Sequence, residues 1–498
     1  MYLLGVETSR ASCAANRRFT VGAGLSPTHN TPPRLCRNLA FNRRIPMRII
    51  VCIKIINGAL NPFDECALEE ALRIENSEVT VVCMGPSSCA DALGIVARLG
   101  VKRVVLISDK VFAGSDTLAT SYILSCCIKQ LGFDAVLCGR QSVDGDTAQV
   151  GPCLAIMLGA TPITNVMKLT CTGDGFKCET RLGNAECTNP SLLTIERINT
   201  LRFPSIRSKA VGIEIWDNSR VGADVSRCGI KGSPTKVMKV FESERGRRKC
   251  KFITRDELIP LLDSLKAKKR KETAAPESAT KLDAAWSIGS KVEGKAAAIA
   301  RNVTVIDETN PHVIADMIRE HKPKVVLWNA DLEGRAKAPM VAAMLGTGLC
   351  ADCTAFETDG EHLFMYRPAR SGNVIAKIRC DTLPQMATVR TDEHSDSVMV
   401  SGGKGIREKM DELKEFADKI GAELCASRGL VDMGLAPYSA QVGLTGKNVS
   451  PDVYIAVGIS GAVHHTVGIE NAGTVIAINP DKNARIFDYA DYGIAEKF

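Results

Sequence analysis

Residues 135–159, AVLCGRQSVDGDTAQVGPCLAIMLG, contain a strand, a loop and a helix in immediate succession. The first four residues are apolar and predict a buried strand. The glycine-rich middle predicts a loop, and the Ala/Leu-rich end predicts a helix. Further strand-like runs occur on the amino-terminal side, at residues 49–53, 79–84 and 103–107, separated by segments with apolar residues at helical spacing. This alternation predicts a mostly parallel sheet covered by helices on both faces.

A second stretch repeats the helix that ends the first one. Residues 152–159 (PCLAIMLG) and 339–346 (PMVAAMLG) are identical at five of eight positions, and each follows a strand-like run. Their separation of 187 residues is too long for a solenoid repeat. The echo indicates either two homologous domains or a chance likeness between two Ala/Leu-rich helices.

Composition divides the chain into five segments. These are an extension (1–46), a first α/β domain (47–265), a polar, charged linker (266–285), a second α/β domain (286–394) and a C-terminal domain (395–498). The extension has seven Arg and one acidic residue, Glu7. It is either an organelle transit peptide or the product of a start codon assigned too far upstream, and we favour the second interpretation.

The overall composition excludes several classes of protein. Apolar residues make up 45% of the 498 residues and charged residues 24%, as in a globular protein with a sizeable core. The net charge of +7 lies almost entirely in the extension, so the near-neutral remainder gives no basis for nucleic-acid binding. No run of 18 uncharged apolar residues predicts a transmembrane helix. The 19 cysteines show no disulfide framework, which favours a reducing compartment, and the single CxxC, Cys350 to Cys353, predicts packed thiols rather than a metal site.

Two glycine-rich regions could carry chemistry. Residues 139–151 follow a strand and precede a helix, so their backbone could cradle a phosphate; the alternative is an ordinary loop capped by Asp or Thr. Residues 441–447, together with Ser427, Arg428 and the strand-turn-helix pattern at 457–465, form the second region. Taken alone, each of its residues is more often structural, but their clustering makes the functional interpretation equally strong. No hydrolase or kinase motif occurs, which indicates that a cofactor supplies the chemistry.

The chain resembles an electron-transfer flavoprotein whose beta subunit (residues 47–265) is fused ahead of its alpha subunit (286–498). The most specific stretches are residues 61–65 (NPFDE), 139–151, 346–354 (GTGLCADCT), Arg367-Pro368, 384–390 (PQMATVR) and 427–493. The resemblance implies two related, open, mostly parallel nucleotide-binding sheets plus a C-terminal doubly wound FAD-binding domain, and it would explain the echo.

The resemblance places FAD in the C-terminal domain. Carried over residue by residue, its contacts are Lys404, Ser427, Arg428, Val442, Gly443, Leu444, Thr445, Ser460, Gly461, Ala462, Val463, His464, His465 and Asn479. Thr445 would face the reactive edge of the flavin, Arg428 would lie against the ring, and His465 would reach the pyrimidine carbonyl and favour an anionic semiquinone. Tuning of this kind is the protein's usual share of flavin chemistry.

The beta half resembles the family's second nucleotide site, which holds AMP in simple members and a second FAD in members that bifurcate electrons from NADH. Its residues would be Cys52, Asn61, Pro62, Phe63, Asp64, Met84, Gly139, Arg140, Gln141, Ser142, Val143, Asp144, Gly145, Asp146, Thr147, Ala148, Gln149 and Val150. The Asp-Gly-Asp-Thr core of the loop favours the two-FAD type.

Three departures from the family pattern bear on the site. Lys404 stands where the family usually has Arg, which replaces a bidentate fork with a point charge. Leu444 and His464 replace two usual Gln residues.

The resemblance predicts an electron carrier that works with an acyl-CoA dehydrogenase type of flavoenzyme, and with NADH and ferredoxin if it bifurcates electrons. Nucleic acid and membrane insertion are not expected. The expected location is the cytoplasm, or the mitochondrial matrix if the extension is a transit peptide. The rival hypotheses are a non-redox adenine-nucleotide-binding regulator with a degenerate FAD site and a structural paralogue that docks partners.

Overall fold

The structure is a computed structural model that describes residues 45–242, 248–266, 280–369, 374–391, 393–443 and 446–498. Nearly all of the predicted extension, most of the predicted linker and the predicted site residues Leu444 and Thr445 lie outside the described residues. We call residues 45–234 the first half, β-strand 235–242 together with residues 280–391 the second half, and residues 248–266 together with 393–498 the C-terminal body.

The first half is built on a nine-stranded sheet. Its elements are β1 (Met47–Ile53), β2 (Ile55–Ile56), β3 (Ala59–Leu60), α1 (Pro62–Arg73), β4 (Ser77–Met84), α2 (Cys89–Val96), β5 (Arg103–Ile107), α3 (Thr117–Leu131), β6 (Ala135–Gly139), α4 (Val150–Leu158), β7 (Thr161–Cys171), β8 (Gly175–Thr180), β9 (Gly183–Thr188), β10 (Ser191–Ile195), β11 (Ile213–Trp216), α5 (Asn218–Val221) and α6 (Gly229–Gly232). The strand order is β11-β5-β4-β1-β6-β10-β7-β8-β9, parallel throughout except for the β7-β8-β9 meander.

The second half contains a five-stranded parallel sheet and a four-stranded antiparallel one. Its elements, with two that join the C-terminal body (β13 and α7), are β12 (Thr235–Glu242), β13 (Lys251–Phe252), α7 (Leu258–Lys266), β14 (Leu282–Ile288), α8 (Glu293–Ile299), β15 (Ala300–Ile306), α9 (Pro311–His321), β16 (Val325–Asn329), α10 (Leu332–Leu345), β17 (Leu349–Cys353), β18 (Ala355–Thr358), β19 (Leu363–Ala369), β20 (Val374–Cys380) and β21 (Gln385–Val389). The orders are β15-β14-β16-β21-β17 and β12-β20-β19-β18.

The C-terminal body has a seven-stranded parallel sheet of order β13-β27-β26-β25-β22-β23-β24. Its remaining elements are β22 (Glu393–Gly402), α11 (Met410–Ile420), β23 (Glu423–Ser427), α12 (Arg428–Val431), β24 (Gln441–Val442), β25 (Val449–Val457), α13 (Val463–Thr466), β26 (Thr474–Ile478) and β27 (Tyr492–Ile494). The predicted α/β fold with several mostly parallel sheets is therefore confirmed.

Residues 235–242 and 248–265, which composition groups with the first domain, lie with the other two parts of the chain. β12 pairs antiparallel with β20, and β13 pairs with β27. A capping box formed by Thr254 and Glu257 precedes α7, and α7 buries Leu258 and Leu262 in the apolar cluster of the C-terminal body. These residues therefore connect the first half with the second half and with the C-terminal body.

The two echo segments lie in helices that contact each other. The Cys153 thiol on α4 donates to the Pro339 carbonyl on α10 at 3.2 Å. Each helix ends in a left-handed glycine, Gly159 or Gly346. The local repeat extends beyond the helices, because Asn165 and Asp352, six residues after those glycines, also share a positive φ, 57° and 56°.

The buried apolar clusters follow the same three parts. The first sheet has one cluster on each of its two sides, the second half has two clusters, and the C-terminal body has two. None of these clusters, among the residues described, includes side chains from both the first half and the C-terminal body. The apolar cores of the first half and the C-terminal body are therefore separate among the described residues.

Candidate functional site

A cavity of about 1000 Å³ lies at the carboxyl ends of β1, β4, β5 and β6. The chain runs from β1 through β4 to β5 on one side of β1, and β6 lies on the other side. The strand order therefore reverses between β1 and β6, where open parallel sheets bind ligands. Cys52 and Cys138, which are register partners on these two strands, both line the cavity.

The structure brings most of the predicted second-site residues to this cavity. Its lining includes Cys52, Asn61, Asp64, Met84, Gly139, Arg140, Gln141, Ser142, Gly145, Thr147, Ala148, Gln149 and Val150. Pro62, Phe63, Val143, Asp144 and Asp146 are not part of the lining.

Several of the predicted residues hold the loop in place. The Asn61 amide donates to the Gln141 carbonyl at 2.9 Å and its oxygen accepts from the Val143 amide. The Asp64 carboxylate accepts from the amides of Lys54 (2.8 Å) and Gly139 (3.0 Å). These bonds fix the mouth of the cavity, so Asn61 and Asp64 act largely through the loop backbone.

Gly139 allows this close approach. A Cβ at this position would lie 2.4 Å from Asp64 Oδ1 and 2.6 Å from the Phe63 Cβ, both far inside van der Waals contact. Asp146 and Ala148 have positive φ angles on either side of Thr147. Loops with such alternation turn successive amides toward one side, which is typical of anion-binding loops.

The pKa of Asp64 is raised to about 7, because burial penalises the charged carboxylate more than its hydrogen bonds to Asn61, Lys54 and Gly139 favour it. The cavity therefore holds a carboxyl group that changes its charge near neutral pH.

The second half completes the cavity. Arg367 donates from Nη2 to the Gly145 carbonyl at 2.9 Å, and the buried Gln149 amide donates to the Leu349 carbonyl at 3.1 Å. Leu349, Cys350 and Arg367 line the cavity beside the first-half loop. Two halves of one chain thus form a single site.

Sequence reasoning missed part of this lining. Lys54, residues 85–87, most of residues 107–117, residues 349–351, Thr235, Arg367 and Ile378 also contribute. Residues 108–117 could have been found, because they follow β5 at the same edge of the sheet. The second-half residues had no such signal, since the contact between the halves is a tertiary feature.

The residues predicted to bind FAD gather at the carboxyl edge of the C-terminal sheet. Lys404 follows β22, Ser427 ends β23, Gly443 follows β24 and Asn479 follows β26. The segment from Ser460 to His465 follows β25; Ser460, Ala462 and His464 are exposed there, and Gly461 is buried. Strand order reverses between β22 and β25, so this edge also has a switch point.

Two predicted residues face the protein interior. His465 is buried with Nε2 at 2.9 Å from the Tyr454 hydroxyl, and burial lowers its pKa to about 4 against a backbone hydrogen bond to Val442. Asn479 donates to the Ile459 carbonyl at 2.9 Å and accepts from the Asp481 amide. Both residues therefore brace the loop that follows β25.

The two sites lie next to each other. The guanidinium carbon of Arg140, a cavity residue, lies 5.3 Å from the centroid of the buried Phe63 ring. The guanidinium carbon of Arg428, on the C-terminal body, lies 5.6 Å from the same centroid. Cation–π contacts of this length are attractive, so Phe63 connects a cavity residue with a residue of the predicted FAD site.

Buried ion pairs surround this junction. Glu196 pairs with Arg140 (3.2 Å) and Arg181 (2.9 Å), and Asp352 pairs with Arg335 (3.0 Å) and Arg390 (3.3 Å). Burial opposes ionisation of Asp352, yet its arginine neighbours hold its pKa below the usual range.

The remaining chemistry of the described residues is limited. Cys350 and Cys353 are buried free thiols, and burial raises the pKa of Cys353. Within the described ranges, no three His, Cys, Asp or Glu side chains are grouped as metal ligands. No helix in those ranges combines the length and apolarity needed to span a bilayer.

Comparison with known proteins identifies both parts of the chain. The family model described as "Electron transfer flavoprotein domain" matches residues 49–210 and 300–411, and "Electron transfer flavoprotein FAD-binding domain" matches residues 394–470. The first family model thus matches one stretch in each half, as the sequence echo suggests.

Individual relatives divide between the two parts. The chain is 39% identical over 228 residues to electron transfer flavoprotein subunit alpha of Thermoanaerobacterium thermosaccharolyticum, covering 36% of this chain and 69% of that protein. It is 40% identical over 202 residues to the subunit beta of Clostridium acetobutylicum, covering 38% and 78%. It is 34% identical over 255 residues to protein FixA of Azorhizobium caulinodans, covering 43% and 91%.

Proposed function

The chain belongs to the electron transfer flavoprotein family, with beta-like and alpha-like parts in one polypeptide, and from this we propose that it moves electrons between two FAD molecules. One FAD would bind at the carboxyl edge of the C-terminal sheet, and the other in the first-half cavity. The observation that carries the proposal is Phe63, whose ring contacts an arginine of the cavity, Arg140, and an arginine of the predicted FAD site, Arg428.

The C-terminal edge has a donor set that suits a flavin dinucleotide. Lys404 and Arg428 supply positive charge for a pyrophosphate or an electron-rich ring, and Ser427 and Ser460 supply hydroxyl groups. Gly443 has a φ of 134°, and a Cβ there would lie 2.3 Å from the His464 carbonyl oxygen. The backbone can therefore pack this closely only with glycine at that position, which supports the carried-over site.

The first-half cavity suits a second dinucleotide better than AMP. Its volume of about 1000 Å³ is at the upper end of the range for small-molecule sites, about 300–1,000 Å³. It also extends from the end of β5 to Arg367 of the second half. A mononucleotide would fill a smaller share of this volume than a dinucleotide would.

FAD, when bound, accepts and donates electrons singly or in pairs. The chain's own residues would set the environment for that chemistry. Arg428 would hold positive charge beside the C-terminal site, and its ion pair with Asp432 (3.3 Å) orients the guanidinium. His465 would stay neutral at physiological pH because its pKa is about 4, so it would act as a neutral hydrogen-bonding group.

A partner would dock at residues 203–206. Phe203 and Ile206 are 93% and 97% exposed. The root of this loop is fixed, because Arg202 makes three hydrogen bonds to Glu69 on α1 and Asn199 donates to Glu70. Large apolar side chains presented on a fixed root are typical of protein contact sites. We assign this surface to a dehydrogenase of the acyl-CoA dehydrogenase type. We further propose that NADH is the electron donor and that a ferredoxin is the second acceptor. The proposed location is the cytoplasm.

The partner assignment is tested by the kinetics of electron exchange with an acyl-CoA dehydrogenase. Phe203→Ser should raise the KM for that partner by about tenfold, as loss of an aromatic anchor does. Leu182→Ser, which removes another exposed apolar side chain of the first half (51% exposed), is the matched control. An unchanged KM for Phe203→Ser would contradict the docking surface.

The C-terminal flavin site is tested by substitution of Arg428. Arg428→Ala should lower the FAD retained per chain or shift the flavin potential, because it removes a positive charge from the edge of the sheet where the flavin would bind. Arg407→Ala, which removes an exposed arginine of the same body, should change neither. Unchanged flavin content and potential in Arg428→Ala would contradict the assigned role, and a colourless wild-type protein would favour the non-redox alternative.

A further inference from the structure

A stacked pair of side chains joins the C-terminal body to the first half. The Arg181 guanidinium carbon lies 3.3 Å from the centroid of the Tyr438 ring. Arg181 belongs to the turn after β8, and Tyr438 opens the short turn Tyr438–Ala440 that leads directly into β24. The pair therefore joins the first half to the strand that precedes Gly443.

Arg181 is held rigidly on its own side of the contact. Glu196 accepts from Arg181 Nη2 at 2.9 Å and lies 2.9 Å from its Nε, and both side chains are more than nine-tenths buried. A guanidinium fixed in this way offers a flat, preoriented face for an aromatic ring. Arg140, which lines the cavity, pairs with the same Glu196.

We propose that Arg181 and Tyr438 are positioning residues that hold the C-terminal body so that its flavin edge faces the first-half cavity. The buried apolar clusters of the two parts remain separate among the described residues, so this polar and aromatic contact has a large share in fixing their orientation. Arg428 of the same body also contacts the first half, at Phe63, so the stack acts together with that contact.

The experiment compares full-length Tyr438→Leu, Tyr438→Phe and wild type by hydrogen exchange and small-angle X-ray scattering. Tyr438→Leu should raise exchange of the backbone around Arg181 and Tyr438 about tenfold and widen the distribution of particle dimensions. Tyr438→Phe keeps the ring face and should therefore lie closer to wild type than Tyr438→Leu in both measurements. Arg255→Gln removes an arginine–aromatic contact with Phe498 inside the C-terminal body and is the matched control.

A second readout separates positioning from stability. If the two flavins are present as proposed above, Tyr438→Leu should retain wild-type flavin content while electron exchange between the two sites slows about tenfold. Wild-type scattering together with wild-type hydrogen exchange in Tyr438→Leu would overturn the positioning role. Absence of flavin from all variants would overturn the proposed function and leave the scattering result as an independent test of the contact.

Discussion

The first and second halves repeat one arrangement of strands and helices but use the carboxyl ends of their strands differently. In the first half these ends surround a cavity of about 1000 Å³. In the second half, the corresponding edge carries Asp352 buried between Arg335 and Arg390. The same backbone position holds Asn165 in the first half and Asp352 in the second, each with its amide donating to a threonine hydroxyl, Thr194 or Thr388. The two halves therefore share this backbone geometry and differ in the charge that its side chain buries, neutral at Asn165 and paired with two arginines at Asp352.

The largest expected effect comes from breaking the closed edge. Asp352→Gly keeps the positive φ but leaves Arg335 and Arg390 buried without their anion, which should lower the free energy of unfolding by about 3–5 kcal/mol. Asn165→Gly removes a hydrogen bond to Thr164 and should cost about 1 kcal/mol. Urea unfolding measures both, and equal losses would contradict the contrast between the halves.

A smaller loss should follow from crowding the open edge. Gly139→Ala pushes a Cβ against Asp64 and Phe63, and overpacking of this kind costs about 1–3 kcal/mol. It should also displace the loop and reduce nucleotide retention. Gly159→Ala, at a position with open space and a φ of 66°, should lower stability through backbone strain while retention stays at the wild-type level. Full retention in Gly139→Ala would show that the loop does not hold the ligand.

The two buried carboxyl groups should respond oppositely to pH. The pKa of Asp64 is raised to about 7, so its contribution to stability is present below the unfolded value of 3.8 and is lost as pH rises toward 7. The pKa of Asp352 is lowered, so its contribution is lost as pH falls below its unfolded value. Between pH 5 and 7, wild type should lose stability relative to Asp64→Asn by up to about 1.4 kcal/mol per pH unit. Parallel curves would indicate an ordinary carboxylate.

The smallest effect should come from the half-exposed ion pair at the rim of the cavity. Lys54 Nζ lies 2.7 Å from Asp144 Oδ2, and Lys54→Met should change the free energy of unfolding by less than about 1 kcal/mol. Lys337→Met, which breaks an exposed pair with Glu333 on α10, should have an equally small effect. A loss of several kcal/mol for Lys54 alone would mean that the loop depends on this pair.

The sequence predicts the architecture well because its evidence is local. Hydrophobic runs such as Ala135–Cys138 and the two echo helices identify strands and helices before any contact is known, and the echo leaves a repeated domain as one of two interpretations. The sequence also indicates Gly139 and Asp64 as residues of the second nucleotide site. In the structure, the Gly139 amide donates a hydrogen bond of 3.0 Å to Asp64 Oδ1.

What the sequence does not show depends on contacts between distant segments. Nothing local indicates that Arg367 reaches the Gly145 carbonyl or that β12 joins a sheet with β20. His465 shows a second kind of information that the sequence lacks, because nothing local indicates its hydrogen bond with the buried Tyr454 hydroxyl. The roles of the predicted FAD residues, including Leu444 and Thr445, stay predictions.

Cofactor stoichiometry tests the central claim most directly. The full-length chain would be purified without added nucleotide, denatured, and its FAD and AMP quantified per chain by chromatography. We predict two FAD and no AMP, because the cavity and the C-terminal edge would each hold a flavin dinucleotide. One FAD with one AMP would contradict the second flavin site and leave a carrier with a single redox centre.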